Sequence, residues 1–329
     1  MKPFLRESSY CQTIKAAVLT VLVLFPLRLS AADGVVVFRK SGKAFDDVVK
    51  GVRDELREDF IVVEKILDKT ATLDTVATVM DEWRPKCVVL MDNTIIRVYR
   101  DYQATLDSST QSVPTVSLMA VMVSDAISGL ENASGIEYEI PIVTGIINLR
   151  SVLGRPVRRV GVVYRGILGE FIRANRVLCD REGIELVTVS LPNRSGRFRI
   201  DVREALRKLF ERRIEALWVP NDNVLLRADI IRGTWMPALR NSKIPVVVGV
   251  EVLVEPRLNF GTFAVIPDHV ALGAQAAEMV FDIRDNGWKC ENGRVYPPLA
   301  IIKVINLPHM RRKFNVSEKK LEEIDKKLR

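Results

Sequence analysis

From Gly34 onward the hydrophobic positions follow two alternating rhythms. Gly34-Val35-Val36-Val37-Phe38 is a short unbroken apolar run, which suits a strand covered on both faces. Phe45, Val48, Val49, Val52 and Leu56 then recur with the period of a helix that buries one side. The alternation repeats: Ile61 to Val63 as strand, then Leu73, Val76, Ala77, Met80 and Trp83 as a helical stripe. Cys87 to Met91 reads as a third strand, Ile95 to Tyr102 as the start of a helix, and Val116 to Val123 as a fourth strand. The pattern restarts near residue 157. Val160 to Tyr164, Leu186 to Val189, Ala216 to Val219 and Pro245 to Val248 read as strands. Ile167, Phe171, Ala174 and Leu178 stripe a helix that Gly183 is placed to end. Val202, Ala205, Leu206, Leu209 and Phe210 stripe another, and a third is predicted from Val224 to Leu239.

Valine-rich strands alternating with one-sided helices predict an α/β protein whose parallel sheets are wrapped by helices. Two runs of similar length predict two doubly wound lobes. The join from Tyr138 to Leu149 holds no long linker, so the lobes are expected to touch and share crossing segments.

Composition agrees with a packed protein of about two domains: 329 residues, 48% hydrophobic and 27% charged. Disordered, collagen-like and small disulfide-stapled classes are excluded. The formal net charge is +8, partly from Lys2, Arg6, Lys15 and Arg28 near the start. The remaining basicity is spread along the chain, as on a solvated surface, and aromatic content is low at 7%. No nucleic-acid partner is expected.

The basic start, the apolar run Ala16 to Phe25, Pro26 and the small exit Ser30-Ala31-Ala32 describe a secretory signal peptide over residues 1–32. The run falls short of the roughly 20 residues that span a bilayer; an uncleaved anchor is the alternative. The mature protein is expected to be a free periplasmic monomer. Cys87, Cys179 and Cys290 form no CxxC pair and read as small buried hydrophobes.

In open parallel sheets, ligands bind outside the carboxyl ends of the strands, where helix N-termini also point. Those positions carry Ser41, Asn93, Thr94, Ser124 and Asp125 in the first run, and Tyr164, Arg165, Asn221, Asp222, Asn223 and Glu251 in the second. Ser41, Thr94 and Ser124 also suit helix capping. Three consecutive polar residues at 221–223 exceed what one cap requires. There is no GxSxG, HExxH, Walker loop or GxGxxG after the first strand. The chain has two histidines, His269 and His309, which are not close in sequence. No catalytic residue, metal or cofactor is expected.

Several segments, in order and spacing, resemble the ABC-transporter substrate-binding family that includes tryptophan- and tyrosine-binding lipoproteins. They are Val123-Ser124-Asp125-Ala126, Val143-Thr144-Gly145-Ile146, Arg159 to Tyr164, Glu182 to Leu186, Leu217 to Asn223, Lys243 to Val246, Leu272 to Met279 and Val304 to Leu307. The resemblance implies a type I periplasmic-binding fold with a three-segment hinge. By that analogy residues 33–143 and 260–292 form the first lobe, and 144–259 and 293–329 the second.

The family's function, by the same analogy, is capture of a small amino-acid-like solute for an ABC permease. Asp222 would hold the ligand's ammonium with Asn223 nearby, while Ser124 and the amides after it would hold the carboxylate. Asp222→Ala should then weaken binding and leave thermal unfolding nearly unchanged. Ala126 stands where the family has proline, Asn221 where it has threonine, and Glu251 where it has serine or aspartate. No lipobox is present. The alternatives are a receptor of the same fold feeding a signalling partner, and an exported enzyme.

Overall fold

The computed structural model describes residues 33–68, 70–107, 111–314, 316 and 318–329. The signal peptide expected over residues 1–32, with Cys11, lies outside them. Along the first half, β1 (Asp33–Arg39), β2 (Phe60–Ile66), β3 (Cys87–Met91), β4 (Thr115–Leu118) and β5 (Ala133–Ile136) alternate with α1 (Lys43–Leu56), α2 (Leu73–Trp83), α3 (Asn93–Gln103) and α4 (Val123–Ile127). After α5 (Ile142–Leu153) come β6 (Arg159–Arg165), α6 (Gly169–Arg181), β7 (Glu185–Leu191), α7 (Phe198–Glu211) and β8 (Ala216–Val219). Two short helices, α8 (Ala228–Ile230) and α9 (Met236–Leu239), precede β9 (Val246–Val248) and β10 (Phe263–Pro267). The chain ends with α10 (His269–Asp285), β11 (Val295–Tyr296), β12 (Ile301–Asn306), α11 (Leu307–Lys313), α12 (Glu318–Glu322) and β13 (Lys326–Leu328).

The strands make two sheets. One has the order β11-β5-β4-β3-β1-β2, all neighbours parallel. The other has the order β13-β12-β10-β9-β8-β6-β7, with β10 and β12 its one antiparallel pair. Each sheet buries a separate apolar cluster on either face. That two-sided burial explains why β1, β3, β6 and β8 read as unbroken valine-rich runs.

Three crossings join the sheets. Residues 137–141 lead from β5 to α5, Pro267 to Asp268 lead from β10 to α10, and 297–300 lead from β11 to β12. The boundaries drawn from the sequence move accordingly. Residues 263–267 belong with the second sheet, because β10 hydrogen-bonds to β9 and β12. Val295-Tyr296 belongs with the first, where it extends β5.

The crossings are tied to one another. The Tyr138 hydroxyl lies 3.0 Å from His269 Nε2, with the rings stacked, so the first crossing meets the start of α10. The Asp268 amide donates to Ala300 O at 3.0 Å. Buried Gln275 donates to Pro297 O at 2.9 Å and accepts from the Leu299 amide at 3.1 Å. Helix α10 then packs on α1 through facing glycines. A Cβ on Gly51 would fall 2.0 Å from Val270 O, and one on Gly273 would fall 2.0 Å from Val48 O.

Two elements differ from the sequence reading. The strand expected to run to Val123 stops at Leu118, and Val123 opens α4. Met119 and Met122 between them take left-handed backbone angles, φ 57° and 51°. The helix expected over 224–239 begins four residues later, at Ala228, and runs on to Leu239 with a wide π-helical turn over Ile231–Trp235 between α8 and α9. Pro237 follows that turn and has no N–H with which to continue an ordinary helical ladder.

Candidate functional site

Parallel strands send their carboxyl ends to one edge of a sheet, so the loops after them gather there. Loops and helix starts following β3, β4, β6 and β8 enclose a cleft of about 410 Å³ between the two sheets. The first-sheet side supplies Asn93, Arg97, Arg100, Met122 and Asp125, and the second supplies Arg165, Ile167, Leu168 and Asn221 to Asn223.

Six of the eleven residues singled out in the sequence line this cleft: Asn93, Asp125, Arg165, Asn221, Asp222 and Asn223. Several have their polar atoms committed to the protein. Asn93 donates to Val121 O at 2.7 Å and accepts from the Val121 amide at 2.8 Å. It therefore pins the strained loop between Met119 and Met122. Asp222 is buried, at 4% exposure. Its carboxylate takes a two-pronged pair from Arg165 at 2.7 and 2.9 Å and accepts the amides of Val224 and Leu225. The ammonium role that the resemblance gave Asp222 is thus already filled by a guanidinium of the same chain. Asn221 reaches across to Gly249 O, at 3.4 Å. Its Oδ1 is buried without a hydrogen-bond partner among the described residues, and a Cβ on Gly249 would come within 2.6 Å of that atom.

The other five do not line the cleft. Thr94 is capped by Asp92 through its amide and receives Lys40 Nζ on its hydroxyl at 3.1 Å; Lys40 also pairs with Asp92 at 2.6 Å. Tyr164 packs on the core of the second sheet. Glu251 pairs with Lys326 of β13 at 2.6 Å. Ser41 and Ser124 are exposed, Ser41 beyond β1 and Ser124 on α4.

Two charged cleft residues were not foreseen: Arg97 and Arg100. They stand four and seven positions after Asn93, hence on one face of α3; that spacing was the signal available in the sequence. Arg100 donates to Ser128 O at 3.1 Å at the end of α4. Arg97 is exposed and has no partner among the described residues. With Arg165 and Asp222 cancelling each other, the free charges facing the cleft are the guanidiniums of Arg97 and Arg100 and the carboxylate of Asp125. Among the described residues no three His, Cys, Asp or Glu side chains gather to hold a metal.

Beneath the cleft, Glu139 of the first crossing accepts the Met122 amide at 3.3 Å. Burial pushes its carboxyl up to about 7. A raised folded-state value means that its contribution to stability is complete below the unfolded value and is lost as pH rises through about 7. Urea titrations should therefore show the parent losing more stability between pH 5 and 8 than Glu139→Gln does. Parallel pH profiles for the two would remove Glu139 as the cause.

No family model matches the sequence, and no curated protein matches it. Solved structures do match. A tryptophan-bound ABC domain from Streptococcus pneumonia is 16% identical, with a TM-score of 0.59 over 91% of this chain and 100% of that one. The open, ligand-free substrate-binding protein CD0873 from Clostridium difficile is 14% identical, with a TM-score of 0.65 over 90% and 100%. A periplasmic ribose ABC transporter structure from Conexibacter woesei is 17% identical, with a TM-score of 0.52 over 88% and 98%.

This is the type I periplasmic-binding fold. The three structures that share it here are described as an ABC domain, a substrate-binding protein and a ribose ABC transporter. At these identities the likeness extends to the architecture and not to a ligand. Among the described residues no helix is long and apolar enough to cross a membrane.

Proposed function

We propose that this chain is the extracytoplasmic solute-binding protein of an ABC importer, closing its two lobes on a small amino-acid-like carboxylate. The observation that supports it most is the cleft itself. One cavity of about 410 Å³ is lined from both sheets, and three polypeptide crossings beside it allow the halves to hinge without separating. Ligand affinity that differs between open and closed shapes shifts the population to the closed one, and a permease can read that shape.

The ligand's charge pattern follows from the residues left free. Arg97 is placed to hold a carboxylate, Asp125 to hold an ammonium, and Met122, Ile167 and Leu168 to cover an apolar body. This keeps the carboxylate on the first lobe, as expected from the sequence, and moves the ammonium partner from Asp222 of the second lobe to Asp125 of the first. A guanidinium suits the carboxylate because it offers paired donors in a fixed plane.

Thermal unfolding in the presence of amino acids, small carboxylates, purines and sugars tests the proposal. A ligand that binds only the folded form, at a hundred times its Kd, stabilises by about 2.7 kcal/mol. An amino-acid-like carboxylate should therefore raise the midpoint by several degrees, and Arg97→Ala should weaken it at least about tenfold. X-ray scattering should show contraction with the same ligand. No shift with any amino acid or carboxylate, or equal affinity for Arg97→Ala, would defeat the assignment.

A further inference from the structure

At the opposite strand ends of the second sheet from the cleft, a second cavity of about 300 Å³ lies beside the start of β9. Its floor is apolar: Leu239, Ile244, Val246 and Phe260 line it. Its rim is cationic, from Arg240 at the end of α9 and Arg312 and Lys313 at the end of α11. No carboxylate lines the cavity, and none of the three cations has an ion-pair partner among the described residues. Arg312 donates to Asn259 Oδ1 at 3.0 Å, and Lys313 donates to Leu239 O and Ser242 O at 3.1 and 3.2 Å. These neutral acceptors orient the two side chains and leave their charge uncompensated.

Between floor and rim sits His309, 5% exposed. Its Nδ1 is buried without a hydrogen-bond partner among the described residues. Burial and the adjacent Lys313 and Arg312 push its imidazole down to about 4, so the ring is neutral at pH 7. Three like charges around one pocket repel each other, and an anion placed among them relieves that repulsion. An inorganic ion would leave the apolar floor wet, whereas an organic anion would cover it.

We propose that this cavity is a second binding site, for a small organic carboxylate with an apolar body. The carboxylate lies between Arg240 and Arg312, and the body rests on Ile244 and Phe260. The site is separate from the inter-lobe cleft and shares no residue with it.

The chain's two histidines make the test simple, since His309→Gln assigns the ring signals in a proton NMR spectrum. The full chain is titrated with benzoate, with benzyl alcohol as its neutral counterpart and inorganic phosphate as a headgroup without a body. Benzoate should shift the His309 ring signals to saturation and raise the ring's pKa from about 4. His269 should stay unmoved. The double variant Arg240→Ala/Arg312→Ala alters exposed side chains and should weaken benzoate at least about tenfold. Benzyl alcohol and phosphate should each bind more weakly than benzoate. An unmoved His309, undiminished affinity in the double variant, or an equal response to either control would each overturn the site.

Discussion

An Asp222→Ala variant should be about 3 kcal/mol less stable than the parent in urea at pH 7, a size typical of breaking a buried pair. The Asp222 side chain is 1% exposed and its Arg165 partner 16%, so the pair is largely shielded from water and losing Asp222 leaves a poorly hydrated guanidinium. Asp222 also holds the amides of Val224 and Leu225, which begin the turn leading to α8. The expectation that this substitution leaves unfolding untouched therefore gives way. Asp222 supports the second wall of the cleft and holds Arg165 in place within it. Removing both charges, in Asp222→Ala/Arg165→Met, should recover part of the loss, since no lone ion remains. If Asp222→Ala costs less than about 1 kcal/mol, the pair contributes no more than an exposed one.

Alanine at Gly51 or at Gly273 should each destabilise by about 3 kcal/mol, the upper end of overpacking costs. The added methyl would meet a backbone carbonyl oxygen of the facing helix at 2.0 Å, and a main-chain atom cannot rotate aside as a side chain can. Either α1 or α10 must move. Because α10 starts at the second crossing, that shift would also disturb the contact between His269 and Tyr138. Gly169→Ala is the control: its Cβ would meet nothing within 4 Å. Urea unfolding of the three variants checks this, and equal stability across them would show that the helices part without cost.

The architecture was legible because it depends on burial. β1, β3, β6 and β8 are covered on both faces, so nearly every side chain is apolar and the runs stand out. β5 gave no such signal: Ala133-Ser134-Gly135-Ile136 is short and made largely of small residues. Its glycine is needed where Ser117 O passes, 2.9 Å from a Cβ on Gly135. The break at Met119 was equally hidden, since left-handed methionines carry no sequence mark and arise from anchoring by Asn93 and Glu139.

The cleft was legible only in part. Strand ends located Asn93, Asp125, Arg165 and Asn221 to Asn223, because topology alone brings those ends together. Which polar atoms remain available is a question of tertiary pairing. Lys326, 75 positions away in sequence, reaches Glu251, and Arg165 neutralises Asp222 across 57 positions. Arg97 and Arg100 escaped notice because they sit a full turn or more inside a helix rather than at its start.

Weaving to and fro between the sheets has a consequence for biosynthesis. The first sheet receives its outermost strand, β11, only from Val295-Tyr296, and β10 meets its antiparallel neighbour only at Ile301–Asn306. A nascent polypeptide emerging from its amino end therefore possesses neither finished half until nearly all of it has been made. Premature termination before residue 295 would yield two incomplete sheets rather than one sound half, and such fragments should be degraded instead of accumulating as a partial binder.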